Sequence, residues 1–358
     1  MTMFQAEMDF DAWRGAKVPP PGGVPSSYIE DRAVPQVTKQ SAKGVRPYDG
    51  SITGLTYGNN LSLTRTYDNQ YRISSITVGS LLNLVYGYDA NGNITSIIDA
   101  ISPSGGAPLE TSATYTYQQG SNKLTHIEAP VSWDFGYDAN GNITSENTRT
   151  FTYDRLNRLI TVRDSPQVAS YYYYNALNQR TRKTTPTSTK IFHYDTRGHL
   201  IAETNLAGAT LVEYVYLNDH PLAMIRSGSV YYYHTDHLGT PPVLTDSSGA
   251  VAWKAAYGAF GAVNITVANV ENNIRFPGQY YDTETGLHYN WNRYYDPKTG
   301  RYITPDPIGL EGGVNVYGYV EANPINKIDP EGTQVLGNQR GQPLTRDRQD
   351  QGTKGVSH

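Results

Sequence analysis

A tyrosine followed by an aspartate recurs along this chain about once every twenty residues, and this repeat limits the possible folds more than any other feature. The intervals between successive copies run from 16 to 29 residues. Six intact and two degenerate copies occur, at Tyr48-Asp49, Tyr67-Asp68, Tyr88-Asp89, Tyr137-Asp138, Tyr153-Asp154, Tyr194-Asp195, Tyr117-Gln118 and Tyr174-Asn175. A period of this length indicates small similar units, each in contact with its neighbours.

Each unit has the pattern of one β-hairpin. The stretch GYDANGNITS occurs at 87–96 and again at 136–145, and its Asn-Gly pair tolerates the positive φ of a tight turn. Alternating segments such as the TYTY at 114–117 have the period of two that is typical of strands. A single hairpin cannot bury its own face, so the repeat predicts a continuous sheet of stacked hairpins.

Composition also favours an all-β fold. The 358 residues include 30 tyrosines, only 7 phenylalanines and 34 glycines. Tyrosine suits half-buried strands, and glycine suits tight turns. The chain has no cysteine, which rules out disulfides and thiolate metal sites, and we expect neither a cofactor nor a metal. A net charge of −4 indicates no surface for nucleic acid.

The sequence contains no recognisable targeting or membrane segment. Its apolar runs fall short of the ~18 residues that span a bilayer. The N-terminal MTMFQAEMDFDAWRG lacks the basic region and apolar core of a secretory signal. We therefore expect no membrane insertion, and a cytoplasmic location unless a specialised secretion system exports the chain.

Shifts in composition divide the chain into four parts. Residues 1–46 are rich in proline and glycine and predict a poorly ordered lead-in. Residues 47–230 hold the array of tyrosine-aspartate hairpins, and 231–333 predict a core region that closes this array. Residues 334–358 contain four aliphatic side chains and predict a disordered tail, because they cannot bury a core.

Two Asp-Pro-x-Gly turns near the end of the chain carry the strongest candidate site. Their aspartates, Asp306 and Asp329, lie 23 residues apart, and Arg293 stands 13 residues before the first. Two carboxylates that a fold brings together can share a proton and activate a water, as in an aspartic protease. The same residues also suit ordinary turns, because Asp bonds the backbone that follows it and Pro fixes φ. Both interpretations remain open at this point.

Two long stretches resemble the Rhs and YD-repeat proteins of bacteria, which include the C subunits of insecticidal toxin complexes. They read YYYHTDHLGTPPVLTDSSGAVAWKAAYGAFG at 231–261 and RFPGQYYDTETGLHYNWNRYYDPKTGRYITPDPIGLEGGVNVYGYVEANP at 275–324. The resemblance implies that the hairpins form part of a spiral shell, which a C-terminal core closes. In family members such a shell encloses a toxic C-terminal domain. The family's chain cuts itself after a Pro-x-x-x-x-Asp-Pro-x-Gly-Leu signature, through an aspartate pair and an arginine.

The resemblance also implies roles for the candidate residues. Asp329, in PINKIDPEGT, matches the signature aspartate, Asp306 matches its partner, and Arg293 matches the arginine. One carboxylate, kept ionised, would take a proton from water, while the other, protonated, would polarise the scissile carbonyl. Arg293 would balance the charge and orient one carboxylate.

The cut would fall between Thr333 and Gln334, and Gly332 would let the scissile backbone approach the carboxylates. This chain has Thr333 where the family has leucine, and Glu331 adds a further carboxylate. Only 25 residues follow the bond, which is too few for a toxin domain. We therefore expect a truncated C-terminal part of a toxin-encapsulating shell with an intramolecular aspartic self-cleavage site. Its expected partners are its own C-terminal segment, a toxin domain in longer relatives, and a secretion-system or immunity partner.

An alternative is a catalytically inert structural or surface-interaction module. The tyrosine-rich strands at 171–174 and 231–233 could stack on sugars, which would make it a glycan-binding module. Sheet packing explains the same tyrosines more simply. If the module did bind a sugar, binding would change the environment of Trp253 or Trp291.

Two further groups of residues have the chemistry of a site. His234, Asp236 and His237 are metal-ligating types, but strand alternation would place His237 on the opposite face from the other two. We expect a hydrogen-bonded turn there. Asp296 is a third Asp-Pro carboxylate, which could pair with Arg293 or compete for the catalytic role.

Overall fold

The computed structural model describes residues 53–70, 72–88, 94–100, 114–128, 132–164 and 167–337. The predicted lead-in at 1–46 and the predicted tail from residue 338 lie outside this part of the chain. In the described part, antiparallel strands make up nearly all of the regular structure, so the all-β prediction is confirmed. No helix among these residues is long and apolar enough to cross a bilayer.

The strands form four sheets, and within each sheet sequence neighbours pair with one another. The first sheet has five strands: Gly54–Thr56 (β1), Ser62–Tyr67 (β2), Ile73–Val78 (β3), Leu82–Tyr88 (β4) and Ile94–Asp99 (β5). The second has sixteen strands: Thr114–Tyr117 (β6), Leu124–Glu128 (β7), Trp133–Tyr137 (β8), Ile143–Glu146 (β9), Arg149–Tyr153 (β10), Leu159–Asp164 (β11), Gln167–Tyr174 (β12), Arg180–Thr184 (β13), Thr189–Tyr194 (β14), Leu200–Asn205 (β15), Thr210–Leu217 (β16), His220–Arg226 (β17), Ser229–His234 (β18), Val243–Thr245 (β19), Val251–Tyr257 (β20) and Val263–Ala268 (β21). The two smaller sheets contain Tyr280–Tyr281 (β22), His288–Asn290 (β23), Arg293–Asp296 (β24) and Arg301–Tyr302 (β25), and then Lys327–Ile328 (β26) and Leu336–Gly337 (β27). Two 3-10 helices span Gly309–Gly312 and Val320–Ala322.

In the repeats that the structure describes, the aspartate at 68, 138, 154 or 195 closes the turn of its own hairpin. In the unit at Tyr153, Asp154 Oδ1 accepts the backbone N–H groups of Leu156 at 2.9 Å and Arg158 at 3.0 Å. Asn157 in the same turn has a φ of 59°, which asparagine tolerates better than most residues. Equivalent pairs of backbone contacts reach Asp68, Asn175 and Asp195.

In five repeats the tyrosine bonds back to the preceding hairpin. Tyr153 donates its hydroxyl to the carbonyl of Ile143, the first residue of β9, at 2.6 Å. The same contact recurs in four other units, from Tyr88 to Ile73, Tyr137 to Leu124, Tyr174 to Leu159 and Tyr194 to Arg180, at 2.6–2.9 Å. In every case the acceptor is the first residue of the strand that follows the previous turn. The aspartate of the motif thus stabilises the turn within one hairpin, and the tyrosine links neighbouring hairpins.

The small sheet β22–β25 packs on one face of the sixteen-stranded sheet. A single cluster of buried apolar side chains joins them, with Phe151 and Val162 from the large sheet and Tyr289 and Tyr294 from the small one. Trp253 lies in the same cluster and is 1% exposed. Asp306 follows β25 of this small sheet and Asp329 follows directly after β26, so the packing of both elements positions the candidate aspartates.

A buried ion cluster also ties the small sheet to the array. Arg180, on β13, is fully buried, and its Nη1 lies 2.5 Å from Asp282 Oδ2. Lys183, on the same strand, lies 2.8 Å from Asp282 Oδ1 and 3.0 Å from Glu284. The Arg180 guanidinium also lies 4.4–5.8 Å from the rings of Tyr172, Phe192, Tyr280, Tyr289 and Tyr294. Opposite charges and ring faces together offset the desolvation of this arginine.

The five-stranded sheet packs against strands β17–β19 of the large sheet. Histidines take part in this interface: the ring of His234 lies 4.5 Å from that of Tyr57, and His237 lies 4.9 Å from Tyr86. Burial lowers the pKa of His234 to about 3, and burial lowers that of the nearby His220 to about 4. These side chains are therefore neutral in the folded protein near pH 7.

Two predicted boundaries differ from the observed elements. The boundary at residue 230 falls inside β18, and the large sheet continues to Ala268. The non-repetitive sequence after residue 231 therefore still adds strands β19–β21 to the array. The predicted tail begins with ordered residues, because β27 pairs with β26.

Candidate functional site

Arg293 joins the two candidate aspartates. It lies on β24, it is 3% exposed, and its Nη2 atom is 2.9 Å from Asp306 Oδ2 and 3.1 Å from Asp329 Oδ2. The same side chain donates from Nε to the carbonyl of Gly332, and from Nη1 to that of Val316 at 3.2 Å. The structure thus brings together the three residues that the sequence predicted. The sequence predicted that Arg293 would orient one carboxylate, whereas in the structure it contacts both.

Asp329 is 1% exposed and is surrounded by donors. Tyr302 donates its hydroxyl to Oδ2 at 2.8 Å, and burial with the nearby carboxylate holds the pKa of Tyr302 well above its usual range. Oδ1 accepts the backbone N–H of Thr333 at 2.9 Å and that of Gln334 at 3.2 Å. One carboxylate oxygen therefore faces the nitrogen of the Thr333–Gln334 peptide bond.

Asp306 lies on the carbonyl side of the same bond. A Cβ built on Gly312 would lie 2.2 Å from Asp306 Oδ2 and 3.2 Å from the Thr333 carbonyl oxygen, so both oxygen atoms lie beside Gly312. Asp306 Oδ1 accepts the N–H of Ile308 at 3.0 Å. Burial raises the pKa of Asp306, although the Arg293 charge opposes this shift. A raised pKa favours the protonated form, which can donate a hydrogen bond to a carbonyl.

This geometry has the chemical parts that peptide hydrolysis requires. One carboxyl group accepts the amide N–H of the bond, a second lies near its carbonyl oxygen beside Gly312, and a guanidinium holds both. The two carboxyl groups also differ in surroundings, because Asp329 receives four donors at its two oxygens.

Gly332 has a φ of 70°, which favours glycine. A Cβ at this position would lie 2.4 Å from the carbonyl oxygen of Asn290 and 3.3 Å from the backbone nitrogen of Arg293. The close approach that Gly332 permits is thus to the backbone of β23 and β24. Gly312, which the sequence did not single out, is the glycine that leaves room for the Asp306 carboxylate.

Two more residues of the site were missed by sequence reasoning. Tyr302 contacts Asp329, and its ring lies 3.6 Å from the Arg293 guanidinium. Asn290 donates to the Asp329 carbonyl at 2.8 Å and to the Tyr302 hydroxyl at 2.7 Å. Asn290 is a polar residue in the buried strand β23, and that was the available signal. Among 30 tyrosines, Tyr302 had none.

The other candidate residues lie elsewhere. His234 bonds Thr245 at 2.8 Å, His237 bonds the Ile325 carbonyl at 2.7 Å, and Asp236 accepts backbone N–H groups of its own turn. In the described part of the chain, no three metal-ligating side chains come together. Asp296 accepts the N–H of Lys298 at 3.0 Å in its own turn. Trp253, the proposed reporter of sugar binding, is buried in the core.

A family model described as the teneurin YD-shell matches residues 51–325. The chain is 36% identical over 289 residues to double-stranded DNA deaminase toxin A of Burkholderia cenocepacia, which covers 69% of this chain and 19% of that protein. It is 45% identical over 103 residues to toxin protein Tse5 of Pseudomonas aeruginosa, covering 29% of this chain and 8% of Tse5. The chain therefore spans a fifth or less of the length of these two relatives.

Solved structures with the same fold include toxin-complex assemblies. The Photorhabdus luminescens Tc holotoxin pore matches 83% of this chain and 19% of its own, with a TM-score of 0.62 and 19% identity. The TcdB2-TccC3-Cdc42 crystal structure matches 79% of this chain and 19% of its own, with a TM-score of 0.61 and 19% identity. At this identity the likeness establishes the fold of stacked hairpins.

Proposed function

The chain belongs to the teneurin YD-shell family of Rhs and YD-repeat proteins, and from this premise we propose that it is the C-terminal part of a toxin-encapsulating shell that cuts its own backbone between Thr333 and Gln334. The observation that carries the proposal is that two carboxyl groups, held by one guanidinium, lie near this one peptide bond. Asp329 Oδ1 is 3.2 Å from the Gln334 nitrogen, and Asp306 Oδ2 borders the Thr333 carbonyl oxygen. Ordinary turns would not require the two side chains to meet at a third segment.

The proposed reaction is hydrolysis by a water molecule. Asp329, ionised, takes a proton from the water as its oxygen attacks the Thr333 carbonyl carbon, while protonated Asp306 donates to the carbonyl oxygen. When the tetrahedral intermediate collapses, the C–N bond breaks, the proton on Asp329 passes to the Gln334 nitrogen, and one hydroxyl of the former carbonyl carbon returns a proton to Asp306. Thr333 then ends in a carboxyl group and Gln334 begins with an amine. Arg293 keeps both carboxyl groups in position throughout.

The replacement of the family's leucine by Thr333 does not remove the contacts on which this proposal depends. Those contacts use the backbone of residue 333: its N–H bonds Asp329, and its carbonyl oxygen borders Gly312. Any residue supplies these two groups. A side chain at this position can change how firmly the strand is held, and therefore the rate.

The test is the intact mass of the purified chain under denaturing conditions. We expect wild type to yield two pieces, 1–333 and 334–358. Asp329→Asn and Asp306→Asn each remove a proton carrier, and we expect cutting at least about a hundredfold slower. Asp296→Asn is the matched control, because Asp296 is another buried Asp-Pro carboxylate that bonds its own turn. Wild type of full mass after prolonged incubation, in a folded state, would refute the proposal.

The second candidate function is an inert structural or surface-interaction module, and it follows if every variant stays uncut. The names of the relatives support a toxin-associated role for the shell, since two of them are described as toxins. We propose that a toxin domain is the natural guest in longer chains of this kind. Secretion-system and immunity partners remain predictions.

A further inference from the structure

The residues that follow the candidate bond are held as a strand. Leu336 and Gly337 form β27, which pairs antiparallel with β26, in the register Ile328 with Leu336 and Lys327 with Gly337. The Gln334 N–H bonds Asp329 just before this strand begins. Backbone contacts therefore hold this segment from its first residue to its fourth.

Two apolar side chains of the segment have their own contact surfaces. Val335 packs against a cluster of buried rings that includes Phe276, Tyr295 and Tyr319. Leu336 lines a cavity of about 90 Å³, whose apolar lining also includes Ile328, Pro277 and Ile274. An edge strand with separate apolar surfaces for successive side chains is the usual way in which a sheet binds an extended peptide.

Hydrolysis would strengthen one of these contacts. The amide of Gln334, 3.2 Å from Asp329 Oδ1, would become an α-amino group, which is largely protonated at neutral pH. The hydrogen bond from a neutral amide to a buried carboxylate would thereby become a bond between opposite charges. The cut itself therefore does not favour departure of the segment.

We propose that residues 334–337 are a docking strand: the edge of β26 and the two apolar surfaces form a peptide-binding groove that holds the leaving side of the chain before and after hydrolysis. This inference rests on the proposed self-cleavage and assigns Val335 and Leu336 as recognition residues. Neither residue contacts Asp306, Asp329 or Arg293 through a hydrogen bond or ion pair among the described residues. Binding by the groove and hydrolysis at the bond are thus separable.

The experiment compares masses of one cut sample under two conditions. Denaturing mass spectrometry should give 1–333 and 334–358 as separate species, whereas native mass spectrometry should give one complex. In Leu336→Ala, assayed after its cut is complete, we expect about tenfold or faster loss of the short piece on repeated gel filtration, because three side-chain carbons are lost. Leu310→Ala is the control, since Leu310 is 75% exposed near the site, and it should retain the piece. A wild-type piece that separates at the first gel filtration overturns the proposal.

A second measurement keeps the two proposals apart. If the wild type does not cut, hydrogen exchange on the uncut chain still tests the groove. Backbone amides at 335–337 that exchange slowly in wild type, and at least about tenfold faster in Leu336→Asp, support the docking strand. Amides that exchange like an unstructured peptide refute it, whatever the outcome at Asp329.

Discussion

Asp282 holds the small sheet on the array, and replacing Asp282 with Asn gives the sharpest test of that packing. The fully buried Asp282 is bonded to Arg180 at 2.5 Å and to Lys183 at 2.8 Å. Asparagine keeps the shape and removes the charge. Lys183 retains Glu284 at 3.0 Å, but the described residues offer Arg180 no other carboxylate within ion-pair distance. Arg180 would keep its ring contacts and a 3.2 Å bond to the Tyr294 hydroxyl.

An uncompensated buried charge of this kind costs about 3–5 kcal/mol. We therefore expect Asp282→Asn to lower the free energy of unfolding by that amount, and to lower the melting temperature by roughly 4–9 °C. Arg180→Met should cost less, because Lys183 still neutralises Asp282. The double variant Arg180→Met/Asp282→Asn should recover most of the loss, since it leaves no unpaired charge.

The assay is urea unfolding followed by tyrosine and tryptophan fluorescence, with all four proteins at the same pH. An Asp282→Asn protein within about 0.5 kcal/mol of wild type would refute the argument, because surface changes have effects of that size. A double variant no more stable than Asp282→Asn would also contradict it. In that case the ring contacts, and not the opposite charge, would hold Arg180.

Two further predictions concern the site and pH. Gly312→Ala would place a Cβ 2.2 Å from Asp306 Oδ2, so the carboxyl group must move by about 1 Å. We therefore expect cutting to be about a hundredfold slower. The rate is measured from the time course of the intact mass. Gly54→Ala, in β1, where φ is not positive and the added Cβ meets its nearest heavy atom at an ordinary 3.6 Å, should cut at nearly the wild-type rate. Equal rates for both variants would contradict the assigned position of Asp306. Burial holds the pKa of His220 at about 4 and that of His234 at about 3, so the unfolded chain binds protons first as pH falls. Stability should be full above about pH 7 and fall from about pH 6.5 toward pH 4, by about 3 kcal/mol for each histidine; a melting temperature unchanged between pH 7 and 4.5 would refute this.

The fold could be predicted because the residues of each repeat specify one hairpin locally. A tyrosine, an aspartate and an Asn or Gly at the turn specify one hairpin through contacts within about six residues, as in the unit at Tyr153. The long stretches of resemblance also supplied the three residues of the candidate site. Asp306, Asp329 and Arg293 do meet around one guanidinium.

The surroundings of the site could not be predicted, because they depend on contacts between distant segments. Gly312 matters only where the Asp306 carboxylate and the Thr333 carbonyl meet beside it. Asn290 is important because its side-chain amide bonds the carbonyl of Asp329, which lies 39 residues later in the chain. No local pattern marks such positions. The strand β27 was missed for the same reason. Four aliphatic residues in a polar stretch indicate disorder, and only the structure shows that β26 is available to pair with them.

Five repeat tyrosines each donate their hydroxyl one hairpin back, to the first residue of a strand in the unit before it. This join needs only a hydroxyl from one unit and a backbone carbonyl from the unit before it, so two such units can be joined in the same way wherever they meet. Units that also bond the small sheet, as Arg180 and Lys183 bond Asp282, are tied to their place in the array. An array of this kind can thus change its length by recombination at units that make no such contact, while its closing region stays as it is.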